Sequence, residues 1–399
     1  MINNNKNKNK NNFKVCSLFS GCGGLDLGFK GGFTHNNNQL KSLPFDIVFA
    51  NDVDKDAVNI YRENSKFFGN HKILLDDIRN VDPQDVDDFD VLLAGFPCQP
   101  FSNAGNRKGV YDSRGTLFEE VFRFISSKPP EIIIMENVKG ILSTKMPNGN
   151  KVCDEIVNRL KNVTTSLGEQ ISYNVSEPML INSSHLGVPQ NRERVIIIAI
   201  KSTYGCTPSK SDLFKFSIKF SQSDLLVKKI LDYPSNIPNV DDVWALAPQQ
   251  ERLVPHIKRS WKDIPYDLLP ERLKRIRNNM KEYRSPNFFR RFNVNEINGT
   301  ITASAQPENC GILHPYENRR YNVREIARIQ SFPDDFTFNN ASLAQKYKVI
   351  GNAVPPVLAY TIASYCSAML NNQLTSSTNL IQDSKQLSIF NFLHELQSA

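Results

Sequence analysis

Residues 18–29 read LFSGCGGLDLGF, a glycine-rich turn between an apolar run and a helix-like stretch. Glycine adopts positive φ angles at little cost and lets a ligand approach the backbone closely. In open α/β sheets, ligands bind at the carboxyl ends of the strands. The stretch therefore predicts a ligand site after the first strand of an α/β fold. Its GxGG spacing differs from the dinucleotide pattern GxGxxG and favours a smaller adenosyl ligand, although the turn alone is a weak signal.

Short apolar runs alternate with helix-like stretches around and after this turn: KVCSLF, IVFAN, KILLDD, VLLAG, EIIIMEN and RVIIIAI. Runs that are apolar nearly throughout are typical of strands covered on both faces. The alternation predicts an α/β fold with a mostly parallel sheet and crossover helices. This architecture hosts many chemistries, so the alternation alone leaves an unrelated doubly wound fold open.

The length of 399 residues and the 40% hydrophobic content predict two domains, because single cores stop growing at about 250 to 300 residues. The strand pattern degrades after Lys201, and apolar helical signals resume at Val323. We predict a disordered tail over 1–12, a first domain over 13–200, an inserted domain over 201–320, a return segment over 321–372 that completes the first domain, and a loosely held extension over 373–399.

Composition excludes several classes of protein. No apolar run approaches the roughly 18 residues of a membrane span, and the Asn/Lys tract at the start is not a signal peptide. Seven scattered cysteines without a CxxC pair indicate neither a disulfide framework nor a zinc site, so no metal is predicted and a reducing cytoplasm fits best. The net charge of +7 favours a polyanionic partner.

Carboxylates follow two of the predicted strands. Asp52 ends the second strand, where it could accept hydrogen bonds from both hydroxyls of a ribose. Asp77 ends the next strand, where it could bind the exocyclic amine of an adenine. Either aspartate could instead cap a helix or lie solvated at a strand end.

A second set of polar residues follows later strands. Cys98 lies between two prolines at the start of a polar loop, which restricts the backbone around its thiol, whereas a lone cysteine is more often inert in a core. Glu136 ends a strand at the same predicted edge. Gln190, Arg192 and Arg194 alternate into the last strand and should face one way. A structural salt bridge between Glu136 and an arginine is the alternative, and it is compatible with catalysis.

In this order, the motifs FSGCGGLDLGF, PCQPFS, SRGTLF, ENV, QNRER, REIARIQSFP and GNAVPPVLA resemble the cytosine-5 DNA methyltransferase family of bacterial restriction-modification systems. The resemblance covers the chain from Lys14 to about Leu370, apart from a variable segment between Lys201 and about Asn318. It implies a Rossmann-like S-adenosylmethionine-dependent methyltransferase domain over 13–200 and a smaller inserted target-recognition domain over 201–320.

The resemblance also implies residue roles. Cys98 would be the nucleophile that adds to carbon 6 of cytosine, Glu136 would bind ring nitrogen 3 and the amino group, Arg194 would bind the ring carbonyl, and Arg192 would orient the loop and the carboxylate. S-adenosylmethionine would contact Phe19, Gly21, Gly23, Gly24, Asp52, Val53, Asp77, Ile78, Phe96, Leu117, Asn352 and Val354. Family members usually carry glutamate at the position of Asp52, and the shorter side chain keeps the charge.

A methyltransferase of this kind must extrude its target base from duplex DNA, so the backbone must be held. The densest basic stretch lies in the variable segment, which is the position of the target-recognition domain in the family. The alternative is that this run of charges is only a solvent-exposed helix face. The predicted DNA contacts are Gln99 and Ser102 in the cysteine loop and Arg272, Lys274, Arg275, Arg277, Arg284, Arg290 and Arg291 in this stretch. Double-stranded DNA is the predicted partner, the protein is expected to be a monomer without membrane attachment, and a cognate restriction endonuclease is a functional partner in such systems.

Three other functions are alternatives to this interpretation. A tRNA cytosine-5 methyltransferase shares the motif order but has a smaller recognition region than the roughly one hundred residues here. A catalytically silent DNA-binding protein would not need Cys98, Glu136 and Arg194 together. A thiol hydrolase would need a histidine near Cys98, and none lies near the motifs.

Overall fold

The computed structural model describes residues 12–97, 117–146, 148–279 and 287–373. Within these ranges, nine strands form one mixed sheet and two short strands form a separate hairpin. In chain order the strands are β1 (Phe13–Leu18), β2 (Thr34–His35), β3 (Asn38–Gln39), β4 (Phe45–Asp52), β5 (Lys72–Leu75), β6 (Val91–Ala94), β7 (Ile132–Val138), β8 (Asn162–Thr164), β9 (Gln170–Val175), β10 (Met179–Asn182) and β11 (Glu193–Lys201).

The large sheet is parallel in one half and antiparallel in the other. Its order is β5-β4-β1-β6-β7-β11-β9-β8, and β10 also pairs with β11. The five strands from β5 to β7 pair in parallel, as the first five apolar runs predicted. The run RVIIIAI does form a strand, β11, but this strand is antiparallel to β7, β9 and β10. The prediction of an α/β fold is confirmed, and the sheet is more mixed than expected.

The helices are α1 (Gly24–Lys30), α2 (Lys55–Glu63), α3 (Ser65–Phe68), α4 (Leu117–Ser127), α5 (Val152–Lys161), α6 (Lys210–Lys215), α7 (Val227–Ile230), α8 (Pro248–Leu253), α9 (Glu271–Asn278), α10 (Val323–Ile329), α11 (Leu343–Asn352) and α12 (Pro356–Leu370). Side chains of a strand alternate between the two faces of a sheet, and both faces are buried here. In β7, Ile132 and Ile134 pack with α1 and α12 on one face, whereas Ile133 and Met135 pack with α4 and α5 on the other. The result is a three-layer sandwich.

The strand registers bring the predicted ligand-binding ends together. Leu18 lies beside Asn51 on one side and Ala94 on the other, and Ala94 lies beside Met135. Because β11 is antiparallel to β7, its first residues lie at the same edge, with Arg194 opposite Val138. This edge therefore carries the glycine turn, the end of β4 and the ends of β6 and β7.

The segment predicted as an inserted domain has two kinds of packing. Its first part, including α6 and α7, contributes Leu213, Val227 and Ile230 to the large core that also contains α12. A separate small core is formed by Leu253, Val254, Ile257, Trp261, Ile264, Leu269, Leu273, Phe288, Phe289 and Leu313. The boundary at residue 201 stays a prediction, because the chain on its far side still packs on the first core.

The span Leu343–Leu370, which contains α11 and α12, is long and apolar enough to cross a membrane by composition. Its apolar window is 78% buried inside the protein, where α12 packs against α1. This span is therefore part of the core of the sandwich.

Candidate active site

The turn after β1 has the left-handed backbone that the glycines predicted. The φ angles are 57° at Phe19, 57° at Gly21 and 87° at Gly23. A bulky residue such as Phe19 pays about 1 to 2 kcal/mol for this conformation, so the surrounding structure must impose it. A Cβ atom added at Gly21 would meet no atom within 4 Å. Gly21 therefore presents bare backbone to open space at the carboxyl edge, as a ligand site requires.

Gly23 and Gly24 are required by packing. An added Cβ at Gly23 would lie 2.5 Å from the Phe68 ring, and one at Gly24 would lie 2.3 Å from the carbonyl oxygen of Val354. The second contact brings the return segment directly against the start of α1. The glycine turn thus has one open position and two positions where neighbouring elements approach too closely for a side chain.

The carboxylate of Asp52 is held by the backbone on both sides. Its two oxygens accept hydrogen bonds from the amides of Gly21 and Asp54, each at 2.8 Å. Burial raises the pKa of Asp52, and the backbone donors oppose this shift. The alternative that Asp52 caps a helix is excluded, because Asp54 is the residue whose side chain caps α2. Asp52 thus faces the glycine turn with a fixed orientation.

Asp77 has the capping role that was the alternative for it. Its side chain caps the 3₁₀ turn Ile78–Asn80 and binds Arg79, with the Arg79 Nη2 atom 2.5 Å from one oxygen. These hydrogen bonds, chiefly the one from the Arg79 guanidinium, lower the pKa of Asp77 to about 2. Nearby, Ile78 is buried, whereas Val53 is 67% exposed beside Asp52. An exposed aliphatic side chain at a strand end offers an apolar surface for a flat ring.

The other predicted cofactor contacts are Phe96, Leu117, Asn352 and Val354. Phe96 and Leu117 are buried, and the side-chain amide of Asn137 donates to the Phe96 carbonyl at 3.2 Å. Asn352 is exposed at the end of α11, and Val354 follows it against Gly24.

Glu136 and Arg194 form an ion pair at the carboxyl edge. Arg194 Nε lies 2.9 Å from Glu136 Oε1, and the two side chains are 13% and 10% exposed. Burial raises the pKa of Glu136, while the charges of Arg194 and Arg192 lower it, and the net direction is upward. The site therefore holds a carboxyl group that keeps a proton more readily than a solvated glutamate.

Arg192 differs from the prediction in what it contacts. Its guanidinium is buried and donates to the carbonyls of Ile301 at 2.7 Å, Gly351 at 2.8 Å and Ala353 at 3.1 Å. It is near enough to Glu136 for its charge to lower that pKa. Arg192 thereby binds the return segment to the start of β11, and an orienting role toward the carboxylate remains a prediction.

The predicted nucleophile Cys98 and the predicted DNA contacts Gln99, Ser102 and Arg284 lie outside the described residues. The chain that leads to the cysteine loop is described as far as residue 97. A Cβ atom added at Gly95 would lie 3.6 Å from Glu136 Oε2. The strand that precedes the cysteine loop therefore ends beside the carboxyl group.

Asp26 was not singled out from the sequence. It is fully buried in the first turn of α1, where it accepts hydrogen bonds from Ser17 Oγ at 2.6 Å and from the Tyr61 hydroxyl at 2.7 Å. Tyr61 also packs below Gly23. Burial raises the pKa of Asp26 from 3.8 to about 6. A carboxylate within the otherwise apolar stretch Gly24–Phe29 was the signal in the sequence.

Comparison with known proteins identifies this arrangement. The family model for C-5 cytosine-specific DNA methylases matches residues 13–368. The chain belongs to this family. The DNA methylase is thus a transferase that methylates cytosine in DNA, which agrees with the resemblance of its motifs.

Curated relatives of the methylase cover most of its length. It is 32% identical over 362 residues to Type II methyltransferase M.NgoFVII of Neisseria gonorrhoeae, covering 88% of this chain and 86% of the relative. It is 33% identical to M.Eco47II of Escherichia coli, covering 88% and 78%. Dnmt2 of S. pombe, at 19% identity, has the same fold with a TM-score of 0.59, covering 90% of this chain and 99% of that structure.

The basic stretch of the methylase divides into exposed and internal groups. Arg272 and Arg275 are exposed on α9, and their side chains make no hydrogen bond or ion pair within the described ranges. Lys274 pairs with Glu271 at 3.0 Å, and Arg290 lies 3.4 Å from Glu296.

Two members of the predicted DNA-binding set are structural. Arg291 is only 6% exposed and donates to the carbonyls of Val254, Ile257, His314 and Glu317. Arg277 lies over the Trp261 ring and donates to the carbonyls of Trp261, Lys262 and Ile264. These contacts correct the prediction, because guanidinium groups engaged in this way hold the small core together and are not free for phosphates.

Proposed function

We propose that this DNA methylase transfers a methyl group from S-adenosylmethionine to carbon 5 of a cytosine extruded from a specific duplex sequence, with Cys98 as covalent nucleophile. The observation that carries the proposal is the buried Glu136–Arg194 pair beside the strand end that leads to Cys98. A carboxyl group and a guanidinium at this spacing match the polar edge of cytosine, which offers nitrogen 3, an amino group and a carbonyl oxygen.

The residues around the glycine turn fit the methyl donor. Gly21 has open space before it, Asp52 offers an oriented carboxylate for ribose hydroxyls, and the exposed Val53 offers an apolar surface for adenine. Asp77 and Ile78 would lie at the far side of the adenine, with Asn352 and Val354 closing the pocket. When bound, this donor supplies a methyl group on a sulfonium.

The chain's own side chains would activate the base. The Cys98 thiolate forms a bond to carbon 6, and the electron pair of the 5,6 double bond moves into the ring while Glu136 gives a proton to nitrogen 3. Carbon 5 can then take the methyl group. A base from solvent then removes the proton from carbon 5, so that the 5,6 double bond re-forms as the carbon–sulfur bond breaks and releases the thiolate. Nitrogen 3 returns its proton to Glu136. Arg194 would hold the ring carbonyl throughout.

The upward pKa of Glu136 supports its role as the proton donor. Burial stabilises the neutral acid, which is the form that can give a proton to nitrogen 3. We further propose that the exposed Arg272 and Arg275 contact DNA phosphates, and that the protein acts as a monomer.

The relatives named Type II methyltransferases support a role in restriction-modification. We propose that the methylation protects host DNA from a cognate endonuclease, a functional partner that need not bind this chain, and that the enzyme works in the cytoplasm.

The substrate is tested with S-adenosylmethionine labelled in the methyl group, offered with genomic DNA or with tRNA. Label in DNA but not in tRNA supports the proposal. Label in tRNA alone would establish a tRNA cytosine-5 methyltransferase instead. Sequencing of methylated cytosines in DNA from expressing cells then gives the recognised sequence.

The covalent step is tested separately. Incubation with S-adenosylmethionine and an oligonucleotide that carries 5-fluorocytosine at the recognised position should leave the enzyme attached to DNA, because fluorine at carbon 5 cannot leave as a proton does. The matched variant Cys98→Ala should form no adduct and transfer no methyl group. Methylation by this variant would exclude Cys98 as the nucleophile.

A further inference from the structure

An ion pair between Lys348 and Asp54 joins the return segment to the loop after β4. Lys348 Nζ, on α11, lies 2.6 Å from Asp54 Oδ2. The side chains are 43% and 24% exposed, so the pair lies at the surface, where its contribution to stability is about 1 kcal/mol or less. Its position relative to the glycine turn suggests that the pair contributes more to binding than to folding.

The two carboxylate oxygens of Asp54 bind different partners. Its Oδ1 atom caps α2 by accepting from the amides of Asp56 at 3.0 Å and Ala57 at 3.3 Å, while Oδ2 faces Lys348. The backbone amide of Asp54 in turn donates to Asp52 Oδ1 at 2.8 Å. Lys348 is therefore connected to Asp52 through one residue, so a displacement of α11 would displace Asp52.

The carboxyl end of α11, about one turn after Lys348, borders the same site. Asn352 ends α11 and Val354 follows it, with the Val354 carbonyl against Gly24. The return segment thus contacts the glycine turn through Val354 and the loop after β4 through Lys348. These two contacts fix the distance between the two walls that the adenosyl group would occupy.

We infer that Lys348 and Asp54 are positioning residues that hold the cofactor pocket at its bound width before the methyl donor enters. The inference rests on the proposed use of S-adenosylmethionine. A pocket that is already formed does not have to be ordered on binding, and this raises affinity without any contact to the ligand. Partial burial raises the pKa of Asp54, but Lys348 and the amides of the helix cap lower it by more, so the net shift is downward. The carboxylate therefore stays charged at neutral pH.

The test measures the dissociation constant of S-adenosylhomocysteine by calorimetry, without DNA, for the wild type, Lys348→Met and Lys348→Arg. Lys348→Met should weaken binding about two- to fivefold at low salt, a loss of affinity of the size expected for one surface ion pair. Lys348→Arg should bind as the wild type does. The difference should vanish near 1 M salt, where the screening length is about 3 Å. In steady state, Met should raise the KM for S-adenosylmethionine and leave kcat unchanged at saturation.

Lys346→Met is the matched control. Lys346 is on the same helix and pairs with Asp242 at 2.8 Å, but this pair points to the middle segment and away from Asp52. It should lower the melting temperature at least as much as Lys348→Met and leave the dissociation constant unchanged. Equal effects of the two variants on affinity would overturn the inference, since they would reflect helix stability alone.

A double-mutant cycle completes the test. Asp54→Asn keeps the capping oxygen and removes the charge, so it should weaken binding as Lys348→Met does, and the double variant should be no weaker than either. Additive losses would contradict a paired role. A wild type that binds no S-adenosylhomocysteine would refute the proposed cofactor, whereas a wild type that binds and a Lys348→Met variant that binds equally well would refute only the positioning role.

Discussion

Burial and a neighbouring charge shift the pKa of Glu136 in opposite directions. Burial favours the neutral acid, while the guanidinium of Arg194, 2.9 Å away, favours the carboxylate. The net upward shift of its pKa means that the balance is set by burial. A residue that must give a proton and then recover it needs such a balance, because an acid held too strongly would not release the proton.

Replacement of Arg194 by Met should therefore change the pH profile as well as the rate. Loss of the charge that lowers the Glu136 pKa leaves the acid form present at higher pH, so the alkaline limb of kcat should move upward. The maximum should fall about 10²- to 10³-fold, as for loss of one transition-state donor. The measurement is kcat against pH at saturating substrates.

Lys139→Met is a control for the Arg194 variant, because Lys139 pairs with the adjacent Glu193 at 2.8 Å and both side chains are exposed. It should leave the profile unchanged. A profile for Arg194→Met that keeps its shape, or moves to lower pH, would contradict the proton-donor role of Glu136.

Asp26 gives a prediction about stability. Burial raises its pKa from 3.8 to about 6, so the folded state binds the proton more tightly than the unfolded state does. Its contribution to stability is fully present below pH 3.8 and is lost as the pH rises through 6, a change on the order of 3 kcal/mol. Asp26→Asn cannot ionise and should lack this decline. Urea unfolding at pH 4 and pH 7 measures the difference, and parallel pH dependences for the two proteins would contradict it.

For the strands, the sequence predicted the features that depend on local residue type. The apolar runs became the buried strands β1, β4, β6 and β7 and the edge strand β5, whose residues are half-buried or exposed. The carboxylates after these strands lie at one edge, because parallel strands share their carboxyl ends. The direction of β11 could not be predicted, since an apolar run such as residues 195–200 is the same whichever way the strand points. Strands β8 to β10 were missed because they are short and partly exposed.

The partners of the side chains in the site also could not be predicted from the sequence. The pattern QNRER predicted that Arg192 and Arg194 lie near the carboxylate, but the pairing of Arg192 with the carbonyls of Ile301 and Gly351 depends on residues more than one hundred positions away. Likewise, a basic run does not distinguish exposed Arg275 from Arg291, whose burial follows from the packing of the small core.

The glycine turn gives a prediction at this scale. Ala at position 24 would gain helix propensity of up to about 1 kcal/mol, but its Cβ would lie 2.3 Å from the Val354 carbonyl oxygen, which is backbone and cannot rotate away. Gly24→Ala should therefore lose about 1 to 3 kcal/mol of stability and weaken binding of S-adenosylhomocysteine, since the return segment must move.

Gly205→Ala is the comparison for Gly24→Ala. Gly205 has a φ of 69° with no atom within 4 Å of an added Cβ, so the variant pays backbone strain of about 1 kcal/mol at a site remote from the turn. Its affinity for S-adenosylhomocysteine should equal that of the wild type. If both variants bind as the wild type does, the return segment does not close the pocket.

For the whole molecule, the arginines of the middle segment divide into exposed side chains, which we propose to contact DNA, and internal side chains that stabilise the fold. Arg272 and Arg275 are exposed on α9, whereas Arg291 and Arg277 donate to backbone carbonyls of the small core. Since each phosphate contact releases condensed counterions, a true contact is recognised by its effect on the salt dependence of binding, which a structural arginine does not share.

Arg272→Gln and Arg275→Gln should each weaken binding to cognate and non-cognate duplexes alike and reduce the slope of log affinity against log salt by about 0.9. Arg291→Gln should instead leave several buried carbonyls without donors and lower the free energy of unfolding by about 1 to 3 kcal/mol, with the salt slope of the folded fraction unchanged. Fluorescence anisotropy with a labelled duplex from 50 to 300 mM salt, together with thermal unfolding, measures both quantities. A reduced slope for Arg291→Gln with full stability would place this side chain on the DNA after all, and unchanged slopes for both exposed arginines would mean that α9 does not face the duplex, so that the phosphates must be held by other parts of the chain.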